Sequence, residues 1–132
     1  MEIHTKVVSQ TKSIFEGNAK SISLPTMDGI ITLYPEHMNL VSLLSMGTIH
    51  IQGTDAVTDI LISGGLAQVR DQFVTILSDE AVLSKDITQK EINDAISNAK
   101  NKLASVLDPT ELIQLEKQLK FELFKKRFIE KT

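Results

Sequence analysis

The sequence predicts an α+β protein, in which an N-terminal antiparallel β-sandwich is followed by a C-terminal antiparallel hairpin of two helices. Up to about Leu83, apolar residues come in short β-branched runs, and turn formers separate the runs at intervals of roughly 8 to 12 residues. After Asp86 the apolar residues recur at steps of three and four, the period of an amphipathic helix. The chain has no cysteine, so its stability must come from packing. We therefore predict a β domain in residues 1–86 and a helical domain in residues 87–132.

The runs in residues 1–86 have the length of strands, and no segment fits a helix longer than one turn. They read KVVS, KSISL, GIITLY, LVSLL, TIHI, VTDILIS, LAQV and FVTIL. The turn formers between them are Gly17–Asn18, Pro25, Asp28–Gly29, Pro35, Gly47, Gly53, Gly64–Gly65, Asp71 and Asp79. Because Gly64 and Gly65 stand between two runs, they predict positive φ or a tight hairpin rather than a phosphate-binding loop.

Residues 87–132 carry two helix start signals. Thr88 is placed as an N-cap, with Glu91 as its capping-box partner. Asp108 followed by Pro109 predicts the cap and the first residue of a second helix, and hence a hairpin that turns near Asp108. The predicted apolar face of the first helix consists of Ile92, Ala95, Ile96, Ala99, Leu103 and Leu107.

The second helix has an unusually wide apolar face. It consists of Leu112, Leu115, Leu119 and Leu123 on one stripe, with Ile113, Phe121, Phe124 and Phe128 beside it. Two amphipathic helices alone bury only each other, so the breadth of this face predicts a further surface for it to pack against. Periodicity leaves open whether that surface is the β-sandwich or a partner to which the hairpin docks as a detachable arm.

The net charge of −3 hides a division along the chain. Residues 1–86 carry five Lys or Arg against ten Asp or Glu, a net charge of −5, whereas residues 87–132 carry nine against seven, a net charge of +2. The cations of the last sixteen residues are Lys117, Lys120, Lys125, Lys126, Arg127 and Lys131. Such asymmetry indicates two surfaces with different partners, although a solvated helix face with surplus lysine has the same composition.

Few side chains could carry out catalysis. The three histidines are His4, His37 and His50, and none has a partner at the one-turn spacing of a zinc-binding helix. Neither Tyr34 nor the scattered serines stand beside an evident general base, and no G-x-x-x-x-G-K phosphate loop occurs. The sequence therefore predicts no enzyme and no metal site, and a small metal-dependent enzyme that uses the three histidines is the alternative.

Nucleic-acid binding and membrane insertion are also poorly supported. The β domain is acidic and nearly lacks aromatic residues for base stacking, and Arg70 and Arg127 are the only arginines. No run approaches the roughly 18 apolar residues of a membrane span, and the first residues lack the cationic and apolar regions of a leader. The sequence thus predicts a chain that is neither exported nor inserted in a membrane.

Five segments, taken in their order along the chain, resemble the epsilon subunit family of F-type ATP synthases. They are IFEGNAKSISLP (14–25), LYPEH (33–37), GTIHI (47–51), ISGGLAQV (62–69) and VTILSDEA (74–81). Their order and spacing, followed by a helical hairpin, cover nearly the whole chain. The resemblance implies a flattened sandwich of ten strands with two C-terminal helices. An unrelated adaptor sandwich whose motifs agree by coincidence is the alternative.

The resemblance implies a non-catalytic central-stalk subunit. One face of its sandwich would hold the gamma subunit and one end would face the membrane rotor ring, so that ion-driven rotation of the ring turns gamma inside the catalytic head. The helical hairpin would be a regulatory arm that extends to the catalytic beta subunits and blocks ATP hydrolysis. Such a subunit has no cofactor, and it is peripheral at the cytoplasmic face of the bacterial inner membrane.

The resemblance also implies residues for two of these contacts. The loop on the rotor-ring side would comprise Asp28, Ile30, Glu36, His37 and Met38. The family has glutamate at the position of Ile30 and glycine at that of Glu36, so the location of the loop is carried over rather than its individual contacts. The inhibitory arm would use the clustered cations Lys120, Lys125, Lys126 and Arg127 against an acidic segment of the beta subunits.

Some members of the resembled family bind ATP at the start of the first helix, through isoleucine or leucine, aspartate, two variable residues, arginine and alanine. The corresponding residues here are Ile87, Thr88, Gln89, Lys90, Glu91 and Ile92. Thr88 can cap the helix as the aspartate would, but Glu91 places an anion where the arginine would meet phosphate. We therefore predict that the chain does not bind millimolar ATP.

Overall fold

The computed structural model describes residues 1–36 and 38–131. The chain divides into two compact units, Met1–Lys85 and Asp86–Thr132. The first unit is built from ten β-strands, and the second contains two α-helices. The predicted fold class, an antiparallel β-sandwich of about ten strands followed by two helices, is confirmed.

The strands of the first unit form one continuous hydrogen-bonded sheet. They are β1 (Ile3–Val8), β2 (Ser13–Ala19), β3 (Ser21–Thr26), β4 (Gly29–Leu33), β5 (Met38–Leu44), β6 (Gly47–Gln52), β7 (Val57–Ile62), β8 (Gly65–Asp71), β9 (Phe73–Leu77) and β10 (Ala81–Leu83). Their order is β10-β7-β6-β3-β5-β8-β9-β1-β2, with β4 beside β3. The described pairs are antiparallel except β1 with β9, which is parallel. Because β10 and β2 lie close together, the sheet wraps around its own core.

Alternating β-branched residues fill the interior of this sheet. In β6, Ile49 and Ile51 are buried while His50 between them is exposed, and Val74 and Ile76 are buried in the same way in β9. Each such side chain contributes about 1.5–3 kcal/mol through its removal from water. The residues of the core cluster all lie between Ile3 and Leu83, so the first unit has a hydrophobic core of its own.

Two strands, β2 and β10, were not among the predicted runs. Gly17 and Asn18, for which the sequence predicted a turn, lie inside β2 and pair with Thr5 and His4 of β1. The prediction was wrong because Glu16 and Asn18 are exposed, so this strand has no continuous apolar run. The other strand, β10, is only three residues long, which is too short to give a period.

Pro25 was predicted as a turn former, and it lies instead inside β3. Its carbonyl oxygen accepts a hydrogen bond of 2.8 Å from the backbone N–H of Ser45. In an extended strand the N–H and C=O of one residue point to the same side. The missing N–H of Pro25 therefore faces the side on which β3 changes its partner from β6 to β5. No ladder hydrogen bond is lost there, so proline is tolerated inside this strand.

Gly64 and Gly65 have φ angles of 130° and 150°, which confirms the predicted positive φ. They do not form a hairpin, because the strands on either side of them have different neighbours. β7 pairs with β6 and β10, whereas β8 pairs with β5 and β9. The two glycines therefore stand at a crossing from one part of the sheet to another.

In the second unit, α1 (Gln89–Ser105) and α2 (Pro109–Lys131) contact each other. A 3-10 turn, Ser84–Asp86, precedes them. Both predicted caps are confirmed. Thr88 Oγ1 accepts a hydrogen bond of 3.3 Å from the N–H of Glu91, and Asp108 Oδ1 accepts one of 3.1 Å from the N–H of Thr110.

The predicted apolar faces of both helices need correction. Leu107 lies beyond the end of α1 and is 96% exposed, because Val106 is already extended, with φ −79° and ψ 134°. The buried residues of α2 are Leu115, Phe121 and Glu122, whereas Leu112, Ile113 and Leu123 of the predicted face are exposed. Apolar residues surround most of α2, so their spacing could not identify the buried side.

Candidate partner-binding surfaces

The outer face of β5, β8, β9 and β1 carries side chains that alternate with the core. Ala67 and Val69 of β8 are buried, so Leu66, Gln68 and Arg70 lie on the outer face. The strand register places each of these three beside a residue of β5 and a residue of β9. The outer face is therefore a regular grid, whose rows run across four neighbouring strands.

One row of this grid is apolar. Leu43 is opposite Leu66, Leu66 is opposite Leu77, and Leu77 is opposite Val8. Leu43 and Leu77 are 63% and 50% exposed. We name these four residues the apolar row. Val41 extends it along β5, because it lies two residues from Leu43 on the same face and is also exposed.

The apolar row thus joins the exposed Leu43 and Leu77 to the half-buried Leu66 and Val8 on four adjacent strands. A contiguous apolar patch of this kind marks a site of protein association. The row was missed by the sequence analysis, because each of its residues belongs to a run that was interpreted as a core strand. Only the register, which joins residues from 8 to 77, brings them together.

The five residues predicted for the rotor-ring side fall into two groups. Asp28 lies in the turn before β4 and Ile30 lies at the start of β4, both exposed. Glu36 lies beyond the end of β4 and Met38 begins β5. His37 lies outside the described residues. Since β4 spans five residues, or about 16 Å, its two ends separate the groups.

The Asp28 end of β4 is also the end that holds the apolar row. The backbone N–H of Met27, next to Asp28, donates a hydrogen bond of 3.1 Å to the carbonyl oxygen of Leu43. At the other end, Met38 pairs with Asp71 at the turn between β8 and β9. The sandwich thus presents two different ends, one with Asp28 and Ile30 and the other with Glu36 and Met38.

The four cations predicted for the inhibitory arm have unequal surroundings on α2. Lys120 and Arg127 are exposed, and Lys126 is half-buried. Lys125 Nζ lies 2.9 Å from Glu122 Oε1 and 4.7 Å from the centroid of the Phe121 ring. Both members of this ion pair are largely removed from water. Lys125 therefore compensates the buried charge of Glu122, and its own charge is not available to a partner.

The degenerate ATP signature lies around the start of α1. Thr88 accepts from the N–H of Glu91, Ile92 is buried, Ile87 is half-buried, and the carboxylate of Glu91 is exposed in the first turn. A helix N-terminus attracts anions through its free N–H groups. Here a side-chain oxygen occupies one of these groups, and a carboxylate stands beside the rest.

We expect the full chain to give no saturable response to millimolar ATP, because Glu91 repels phosphate where a cation would be needed. NMR shifts of the amides of residues 87–92 measure this directly. The variant Glu91→Arg, which supplies the missing cation at an exposed position, is the matched comparison. Saturable shifts in the unaltered chain would contradict the prediction.

Two histidines form cross-strand pairs with carboxylates. His50 Nδ1 lies 2.6 Å from Asp59 Oδ1, and His4 Nε2 lies 3.1 Å from Glu16 Oε2. Within residues 1–36 and 38–131, no group of three or more His, Asp or Glu side chains could hold a metal ion. An open cavity of about 580 Å³ lies where α1 ends and α2 begins, and its lining includes Lys102, Asp108 and Glu111 but no histidine.

Among the described residues, 1–36 and 38–131, neither helix is both long and apolar enough to span a membrane.

Both the family comparison and the comparison with individual relatives match this chain to delta or epsilon chains of ATP synthases. A family described as "ATP synthase, Delta/Epsilon chain, beta-sandwich domain" matches residues 2–84. The ATP synthase epsilon chain of Polaromonas naphthalenivorans (strain CJ2) is 32% identical over 125 residues, which cover 89% of this chain and 91% of the relative.

Two solved assemblies contain chains of similar structure. One is the Euglena gracilis mitochondrial ATP synthase, solved as OSCP/F1/c-ring, where a chain matches with 25% identity and a TM-score of 0.71, over 96% of this chain and 81% of its own length. The other is the central stalk and c-ring of the Tetrahymena thermophila mitochondrial ATP synthase, with a TM-score of 0.55 over 69% of this chain and 73% of that one. At 16% identity, the second match bears on the fold alone.

Proposed function

Because the chain belongs to the family of ATP synthase epsilon chains, we propose that it is a non-catalytic subunit in the central stalk of a rotary F-type ATP synthase. Membership of the family removes the alternative of an unrelated adaptor. The observation that carries the proposal is the apolar row, a preformed association surface on a unit with its own core. The Euglena relative, whose structure is of an F1/c-ring assembly, supports the same place in the complex.

The proposed partner at the apolar row is the gamma subunit. Subunits that turn together need a contact that does not slip, and apolar side chains on four hydrogen-bonded strands offer a rigid surface for it. Rotation of the ion-driven ring then reaches gamma through the sandwich, and the chain itself forms and breaks no bond. No cofactor is required for this role.

The ring contact is proposed for one end of the sandwich. Asp28 and Ile30 lie at one end of β4, and Glu36 and Met38 lie at the other. A ring that lies at a single end of the sandwich contacts only one of these groups. In this arrangement the subunit is peripheral to the membrane, at the cytoplasmic face in a bacterium.

The helical unit is proposed as an arm that restrains ATP hydrolysis by reaching the catalytic beta subunits. Residues 87–132 carry a net charge of +2, and the exposed cations Lys120 and Arg127 lie on α2 with the half-buried Lys126. An acidic partner surface would attract such a helix, and salt would screen the attraction.

We expect Leu77→Asp to weaken binding of the full chain to an epsilon-depleted catalytic head that contains gamma by about thirtyfold or more, because it places a charge in the middle of the apolar row. Titration with a fluorescently labelled chain measures the Kd. Val57→Asp is the control, since Val57 is similarly exposed but lies on β7, outside this face. Equal Kd values for Leu77→Asp and the unaltered chain would refute gamma binding at this face.

A further inference from the structure

A second row of the same outer face carries an arginine, a phenylalanine and a histidine. Asn39 is opposite Arg70, Arg70 is opposite Phe73, and Phe73 is opposite His4. We name Arg70, Phe73 and His4 the aromatic row. It lies four residues along the strands from the apolar row, a distance of about 13 Å.

The aromatic row is held in place by contacts between its own strands. The rings of His4 and Phe73 meet edge to face, with centroids 5.7 Å apart. His4 also lies 3.1 Å from Glu16 Oε2 and 3.4 Å from Asn18 Oδ1. Phe73 nevertheless remains 60% exposed. A large apolar ring is thus fixed on the surface by polar neighbours that do not cover it.

Arg70 is exposed beside this ring and is without an ion pair among the described residues. Residues 1–86 have only five cations against ten anions. Two of the five, Arg70 and Lys6, lie on this one outer face, since Lys6 is exposed between the buried Thr5 and Val7. The register places Lys6 opposite the exposed Glu16 of β2, whereas the cross-strand partners of Arg70, Asn39 and Phe73, carry no charge. Arg70 is therefore the cation of this face that has no acidic residue opposite it.

We propose that the aromatic row is a second anchor for gamma, at which Arg70 binds a carboxylate of that partner while Phe73 packs against its apolar side chains. This rests on the proposed function, because it extends the footprint that begins at the apolar row. A stable protein interface covers about 800 Å² on each partner, more than a single row of four side chains provides. Arginine and aromatic residues are also the side chains whose removal from interfaces costs most.

The two rows would make different contributions to binding. The apolar row supplies burial, whereas Arg70 fixes the direction in which the partner lies along the strands, because a bidentate guanidinium–carboxylate pair forms in only one register. The middle row between them consists of Val41, Gln68, Thr75 and Lys6, so it is polar on three of its four strands. A partner segment with apolar side chains at one end and an acidic residue about 13 Å away fits this arrangement.

The test is the Kd of the full chain for the epsilon-depleted catalytic head, measured over a series of salt concentrations. We expect Arg70→Glu to raise the Kd about tenfold and Arg70→Gln to raise it less. Arg70→Gln is also expected to make the Kd less dependent on salt concentration, because it removes one charge from the contact. We expect Phe73→Ala to raise the Kd with little change in salt dependence. Lys20→Glu reverses a charge of the same sign at an exposed position outside both rows, and it is expected to leave the Kd within twofold.

Two results would overturn the inference. If Leu77→Asp weakens binding while Arg70→Glu and Arg70→Gln do not, the apolar row binds gamma without the aromatic row, and only the second anchor is refuted. If none of these variants changes the Kd, the proposed gamma-binding face is refuted as well. Circular dichroism of each variant excludes unfolding as the cause of a loss, and Arg70→Gln keeps the test valid should Arg70→Glu fail to fold.

Discussion

A chain that ends at Asp86 is expected to bind the catalytic head as tightly as the full chain does, and to leave its ATP hydrolysis uninhibited. The core cluster lies between Ile3 and Leu83, so the shortened chain keeps the interior of the sandwich and the whole apolar row. It loses α1 and α2, and with them the cations proposed to act on the beta subunits. Steady-state hydrolysis by an epsilon-depleted head, titrated with each chain, measures the difference.

The four predicted cations can be tested in two groups, because Lys125 forms an ion pair with Glu122 whereas Lys120 and Arg127 are exposed and Lys126 is half-buried. Lys120→Gln, Lys126→Gln and Arg127→Gln together are expected to reduce inhibition several-fold and to weaken its dependence on salt. Lys125→Gln is the informative comparison. It would leave the carboxylate of Glu122 without its ion-pair partner, and its main effect is expected in the thermal stability of the helices rather than in inhibition.

Other outcomes assign a different role to the arm. Inhibition by the shortened chain would place the inhibitory surface in the sandwich. Binding of both chains without inhibition by either would leave coupling of rotation as the function of this subunit, with no brake. Inhibition that survives the triple substitution would show that the apolar side of α2, rather than its charge, contacts the beta subunits.

Sequence reasoning succeeded where a local signal determines the structure. The caps at Thr88 and Asp108 depend on side chains two or three residues from the N–H groups that they bind, so they could be predicted. Strands in continuous β-branched runs, such as Val74 to Leu77 in β9, were predicted for the same reason. The local signal failed at β2, where Glu16, Gly17 and Asn18 have the composition of a turn.

The surfaces could not be predicted, because they depend on register and burial. Leu43 and Leu77 each belong to an apolar run, and only the pairing of β5, β8 and β9 shows that they share the outer face. The spacing of Glu122 and Lys125 is a known pattern for a helical ion pair, but their burial is not visible in the sequence. The strand GIITLY, by contrast, was predicted. Because it lies between Asp28 and Glu36 in the sequence, it already implied that these two residues lie at opposite ends of a strand.

Gly65→Ala is expected to unfold or severely destabilise the sandwich, with a loss of about 3 kcal/mol or more in the free energy of unfolding. A Cβ atom on Gly65 would lie 2.1 Å from the carbonyl oxygen of Leu77, and that oxygen belongs to the backbone, which cannot rotate away as a side chain could. The φ of 150° adds backbone strain for any other residue. Such a loss is a large part of the 5–15 kcal/mol that is typical of folded domains.

Gly29→Ala separates these two causes. Gly29 also has positive φ, 122°, but a Cβ atom there would have no atom within 4 Å. Its substitution is therefore expected to cost only the backbone strain, about 1–2 kcal/mol. Urea unfolding of the chain that ends at Asp86, followed by circular dichroism, compares the two variants without a contribution from the helices. If Gly65→Ala is no more destabilising than Gly29→Ala, the close approach of β8 to the end of β9 is not a constraint, and conformational freedom alone explains this glycine. If the cost is clearly larger, the junction that follows Gly64 requires a residue without a side chain, because the backbone of Leu77 occupies the space that a Cβ atom would need.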